Sequence, residues 1–185
     1  MSHGPTQNDP EDAIAIRIDD ISQLFHTLDP YPFREKDLDK DAEEFIVNWA
    51  RELPRQQTIR IILYVPSAQS RQPLSAEVPL GIKRHFAHRA EMTGFELKEQ
   101  LRVGWRSLAI GVSVLTICIV ISQTTHSVVP PPLNKVLEES LIIFGWVANW
   151  KPIETFLYDW WPIVRRRNLY QRLANAQVEL RPTPA

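Results

Sequence analysis

Residues 105–123 read WRSLAIGVSVLTICIVISQ. Between Ser107 and Ser122 there is no charge, no proline and no amide side chain. With its flanks the stretch approaches the roughly 20 residues, rising about 1.5 Å each, that carry a helix across a bilayer. A membrane protein is therefore expected, and the remaining chain is read outward from this first transmembrane helix, 105–123.

Upstream, no proline occurs between Pro79 and Pro130, while Ile82, Phe86, Ala90, Leu97 and Leu101 recur at helical spacing, with Thr93 filling the gap. One helix is expected to run through residues 79–104 straight into the apolar segment. Gly94 and Gly104 are its weak points, each costing about 1 kcal/mol relative to alanine.

Downstream, residues 124–135 form a short external loop stiffened by Pro130, Pro131 and Pro132. A second transmembrane helix is expected over 136–152. Its uninterrupted part, Val136 to Trp150, gives only about 22 Å at helical rise, short of a hydrocarbon core of about 30 Å. A bend near Pro152 is expected to turn the chain into an interfacial amphipathic helix over 153–164, where Ile153, Phe156, Leu157, Trp160, Trp161 and Val164 share a stripe. Residues 165–185 follow as a cytoplasmic C-terminal tail with one further short helix.

Lys83, Arg84, Arg89, Lys98, Arg102 and Arg106 precede the two apolar segments and Arg165, Arg166, Arg167 and Arg172 follow them, whereas Lys135 alone lies between. The positive-inside rule then sets both termini in the cytoplasm. Trp105, Arg106, Trp150, Trp160, Trp161, Arg165, Arg166 and Arg167 are the expected membrane-interface anchors.

The N-terminal part reads as a small cytoplasmic α+β domain, β-α-α-β, over residues 13–66, after a disordered tail at 1–12 and before a loop at 67–78. Ile14, Ile16 and Ile18 alternate as in a half-buried strand; Ile21, Leu24, Phe25 and Leu28 repeat as in a short helix. Asp29-Pro30-Tyr31-Pro32-Phe33 is a turn, because each proline denies helix to the residue before it. A second helix carries the stripe Ala42, Phe45, Ile46, Trp49, Ala50 and Leu53 and ends at Pro54. In residues 58–65, TIRIILYV, both faces are partly apolar, so this strand is expected to be covered on both sides, with its pairing either parallel or antiparallel. So small a domain with two strands leaves open edges, and the missing burial is expected from the following helix or from a second copy of the chain.

The net charge of −1 hides an asymmetry: residues 1–53 carry 5 Lys/Arg against 13 Asp/Glu, and residues 54–106 carry 9 against 4. A basic stem beside a membrane, without interleaved aromatics, speaks for lipid phosphate and against nucleic acid. Cys118 is the single cysteine, so no intrachain disulfide forms. The polar, acidic N-terminus shows no cleavable signal peptide.

Three clusters invite a chemical reading. Asp37, Asp39 and Asp41 match the first ligand positions of a calcium-binding EF-hand loop, but the glycine and the bidentate glutamate it needs are Ala42 and Asn48 here. These acids are better read as favouring a helix N-terminus. His85, His88 and Glu91 have metal-ligand spacing, yet Arg84 and Arg89 beside them oppose a cation. Asn149, Lys151 and Glu154 form a candidate intramembrane polar site, since ionisable groups within a bilayer default to a functional reading. With no glycine-rich phosphate loop, serine elbow or Cys/His pair, neither an enzyme nor a cofactor or metal is expected.

Residues 23–47, QLFHTLDPYPFREKDLDKDAEEFIV, and 156–173, FLYDWWPIVRRRNLYQRL, together with HFAHRAE at 85–91 before the first span, resemble a group of uncharacterised bacterial membrane proteins of similar layout. The resemblance covers about residues 13–175; it implies a bacterial inner membrane and carries over no catalytic residue. The function expected is a membrane-anchored interaction or assembly module, homo-oligomeric and with an unidentified protein partner. The alternative is a subunit of a small ion channel or transporter using Lys151 and Glu154.

Overall fold

The computed structural model describes residues 13–20, 24–25, 38–54, 56–67, 73–125, 130 and 132–183. The expected tail at 1–12, the turn at 29–33, Asp37 and all but two residues of the helix expected at 21–28 lie outside them. The chain divides into two compact units, residues 1–92 with 166–185 and residues 93–165. Among the described residues it is mostly helical, with one small sheet and one helix long and apolar enough to cross a membrane.

The first unit is built on three parallel strands: β1 (Ala13–Arg17), β2 (Arg60–Val65) and β3 (Gln177–Pro182), in the order β1-β2-β3. Alternation sends Ile14 and Ile16, Ile61 and Leu63, and Val178 and Leu180 to one face, and the register sets them side by side as Ile14–Ile61–Val178 and Ile16–Leu63–Leu180. Helix α1 (Lys40–Glu52) joins this core through Ile46, Val47 and Ala50. It starts as its sequence dictates. Asp39 caps it by accepting from the Asp41 N–H at 3.0 Å, and Asp41 and Glu43 occupy the positive first turn.

Helix α2 (Val78–Thr125) is unbroken over 48 residues, through Gly94 and Gly104. Its first turns add Val78, Ile82, Phe86 and Ala90 to the core. Ile62, on the opposite face of the sheet, is also buried, and Tyr64 beside it is half-buried, as both-sided cover of β2 requires.

Two expectations need correction here. The chain after 165 is no tail. Helix α5 (Trp160–Ala174) runs straight on and buries Tyr170 and Leu173 in the same core, and β3 then completes the sheet. Arg172 Nη2 donates to the carbonyls of Pro54 (2.7 Å) and Gln57 (3.1 Å), tying α5 to the turn after α1. Nor does the helical path leave at Pro152 for an independent helix at 153–164. Helix α3 (Leu133–Ala148) is followed by a single break at Asn149 (φ −92°, ψ −5°). Helix α4 (Trp150–Glu154), a π-helical segment (Thr155–Asp159) and α5 then follow one another directly. Proline explains the position of the break: Pro152 has no N–H for the Ala148 carbonyl four residues back, and its ring crowds that oxygen.

In the second unit, α2 packs against α3 and its continuation through small residues. Gly104, Gly111 and Cys118 recur every seven positions on α2, and all three are buried. Such spacing keeps one face toward a partner helix, and small residues let the backbones approach. A Cβ added at Gly111 would lie 2.7 Å from Asn149 Oδ1 and 3.0 Å from the Ala148 carbonyl oxygen; one at Gly145 would meet Leu115 Cδ1 at 2.6 Å.

Candidate functional site

The polar residues of the second unit gather around the break. Asn149 is 6% exposed, and its side-chain N–H2 donates to the carbonyls of Gly111 at 3.0 Å and Gly145 at 2.9 Å. One bond closes its own helix and the other crosses to α2. Both donors of the amide are thereby used where water has little access.

Six and seven residues further on, Thr155 and Phe156 pack against Gly104, and the Phe156 ring meets Trp105 edge-on at 5.3 Å between centroids. The contacts Gly145–Leu115, Asn149–Gly111 and Phe156–Gly104 therefore form an antiparallel ladder that fixes depth along the pair. Asn149 lies level with Gly111, about 10 Å along the helix from the level of Gly104. Glu154 falls near the level of Trp105, at the end of the apolar run.

Lys151 lies between these levels, and its ammonium reaches toward the later residues: Nζ donates to Glu154 Oε2 at 3.2 Å and to Asp159 Oδ2 at 3.5 Å. Asp159 also accepts from Thr155 Oγ1 at 3.1 Å. The widened π turn brings these groups together, and the Trp160 indole N–H satisfies the Phe156 carbonyl at 2.8 Å. π segments of this kind recur at functional positions. The structure joins Lys151 with Glu154 and with Asp159, which Thr155 also bonds, and sets Asn149 apart as a packing residue.

The expected interface anchors are largely exposed. Trp105, Trp150 and Trp161 are more than half exposed, Trp160 is half-buried, and Arg165 stacks over the Trp161 ring at 5.3 Å. Arg106, Arg165 and Arg166 are exposed and Arg167 is half-buried. In the second unit Ile110, Ile117, Val120, Ile143, Phe144 and Trp146 are also exposed. So much exposed apolar surface calls for lipid or protein cover.

The first unit holds a polar network centred on the buried Glu43 and His85. Glu43 bonds Arg89 (Nε at 2.8 Å, Nη2 at 2.7 Å) through one oxygen and His85 Nε2 at 3.2 Å through the other. His85 Nδ1 accepts from the Leu38 N–H at 3.3 Å, so the neutral ring carries its proton on Nε2 and donates it to Glu43. His88 and Glu91 stand exposed on the same helix, so the spacing His85, His88, Glu91 does not converge on one point. Among the described residues no group of three His, Cys, Asp or Glu side chains is placed to hold a metal ion.

The glycine seam, Thr155, Asp159 and the partnership of His85 with Glu43 were missed by sequence reasoning. The seven-residue spacing of Gly104, Gly111 and Cys118 was the available signal for the first. Comparison with protein families, curated proteins and solved structures finds no match to this chain.

Proposed function

We propose that this chain is a membrane-anchored interaction or assembly module of the bacterial inner membrane, homo-oligomeric, with both termini in the cytoplasm. One observation carries the reading: β1 and β3, from opposite ends of the chain, lie in one sheet, and the apolar helices lie between them in sequence. A chain that leaves the sheet after β2, enters a bilayer through α2 and returns to the sheet at β3 has to cross an even number of times. The contact ladder supports the second crossing, since α3 and α4 run beside the apolar part of α2 from Gly145 to Phe156. The basic flanks favour the cytoplasm for the sheet.

Surface chemistry supports association. Phe45 and Trp49 form an aromatic pair on α1, 6.3 Å between centroids, and both are exposed. The sheet pairs β1 and β3 on one side only among the described residues. The test is size in mild detergent: an assembly larger than one chain is expected, and a well-folded strict monomer would overturn self-association.

The second reading, a subunit of an ion channel or transporter, is favoured by the π segment with its Lys151–Glu154–Asp159 cluster. The depth of Glu154, near Trp105, favours instead a lysine that extends its ammonium to the headgroup layer. Ion flux in vesicles holding the purified chain separates the two. Flux abolished by Lys151→Met with Glu154→Leu speaks for transport, and its absence from the parent protein speaks against it.

A further inference from the structure

The face of the sheet turned away from the core carries an ordered set of charges. Register aligns Ala13–Arg60–Gln177, Ala15–Ile62–Glu179 and Arg17–Tyr64–Arg181 across the three strands. The last row lies at the carboxyl end of the strands.

Neighbouring strands lie about 4.8 Å apart, so the Cα atoms of Arg17 and Arg181 are about 10 Å from each other with Tyr64 between them. That spacing lets two guanidinium groups close on one small anion from opposite sides. Arg17 is exposed and makes no hydrogen bond or ion pair among the described residues. Arg181 is half-buried and held in place: its Nη2 donates to Glu179 at 2.9 Å, and it shares a hydrogen bond with Tyr64. Those two partners leave N–H capacity on a five-donor group. Against the arginines stand Glu179 in the neighbouring row and Asp19 two residues beyond Arg17.

We propose that Arg17 and Arg181, spaced by Tyr64, form an anion-binding row that takes a phosphate group. A tetrahedral phosphate offers oxygens to both guanidinium forks at once, which a planar carboxylate does less well. The same chemistry is offered by a free phosphate compound and by a phospholipid headgroup. The row lies wholly in the first unit and does not depend on the membrane reading.

Two arms distinguish the sources. In the first, inorganic phosphate is titrated into the detergent-solubilised full chain and binding is read by calorimetry. In the second, the chain sits in phosphatidylcholine bicelles with and without phosphatidic acid, and its thermal midpoint is read. Arg17→Gln and Arg181→Gln are each expected to weaken the response about tenfold. Arg60→Gln, on the same face at the other end of the sheet, removes the same charge and is expected to leave it unchanged. Response in the first arm assigns a free phosphate, and response in the second alone assigns a lipid headgroup. No response in either, or an equal loss with Arg60→Gln, overturns the proposal. These are surface substitutions, and unchanged circular dichroism confirms that each variant folds.

Discussion

Gly111 and Asn149 are one device made of two residues. The glycine lets the backbones approach, and the amide uses the space to bond across. Gly111→Ala would force its Cβ against a side-chain oxygen and a main-chain carbonyl, and the carbonyl has no rotamer to escape into. We expect a loss of about 1–3 kcal/mol in detergent unfolding experiments, typical of overpacking. Asn149→Ala is expected to cost about 1 kcal/mol, the usual worth of an interhelical hydrogen bond in membrane proteins. In the double variant the losses should fall short of their sum, because removing the amide removes one of the two clashes. In the first unit, Glu43→Ala leaves the buried His85 N–H without its acceptor and Arg89 without its carboxylate, and a loss of about 2–3 kcal/mol by chemical denaturation is expected. Asn149 stood out in the sequence as a lone amide after an apolar run. Its partner, 38 residues away, is set by helix packing and has no local signature.

At the scale of elements, β1, α1, β2 and the long helix were legible because each carries its own period: alternation in Ile14–Ile16–Ile18, fourfold spacing in Ile82–Phe86–Ala90. Strand β3 was not. Its two inward residues, Val178 and Leu180, are too few to establish alternation, and Pro182 closes it. It is a strand because β2 offers an edge, a tertiary fact. The break at Asn149 was nearly legible from Pro152, whereas the π turn that keeps the chain beside α2 was not. If β3 completes the sheet, ending the chain after Ala174 removes β2's second partner and exposes one side of the central strand. Faster amide hydrogen exchange throughout β2 is the expected result. Arg172→Ala, which releases the carbonyls of Pro54 and Gln57, should produce a smaller increase confined to the turn after α1.

For the whole molecule, the sheet is assembled from both ends of the chain, and the apolar helices form an excursion between β2 and β3. Charge pattern alone assigned both termini to one side. The shared sheet supports the same proposal by a separate route, since strands of one sheet share one compartment. In the proposed topology this excursion crosses a membrane twice. The most direct test is labelling with a membrane-impermeant thiol reagent in intact cells and in inverted membrane vesicles, on a chain in which Cys118 is replaced by alanine and one cysteine is placed at Ser2, Ser127 or Thr183 in turn. With two crossings, position 127 is labelled only in intact cells and positions 2 and 183 only in inverted vesicles. Labelling of position 127 from the same side as the two termini, or of the termini from opposite sides, would contradict that topology.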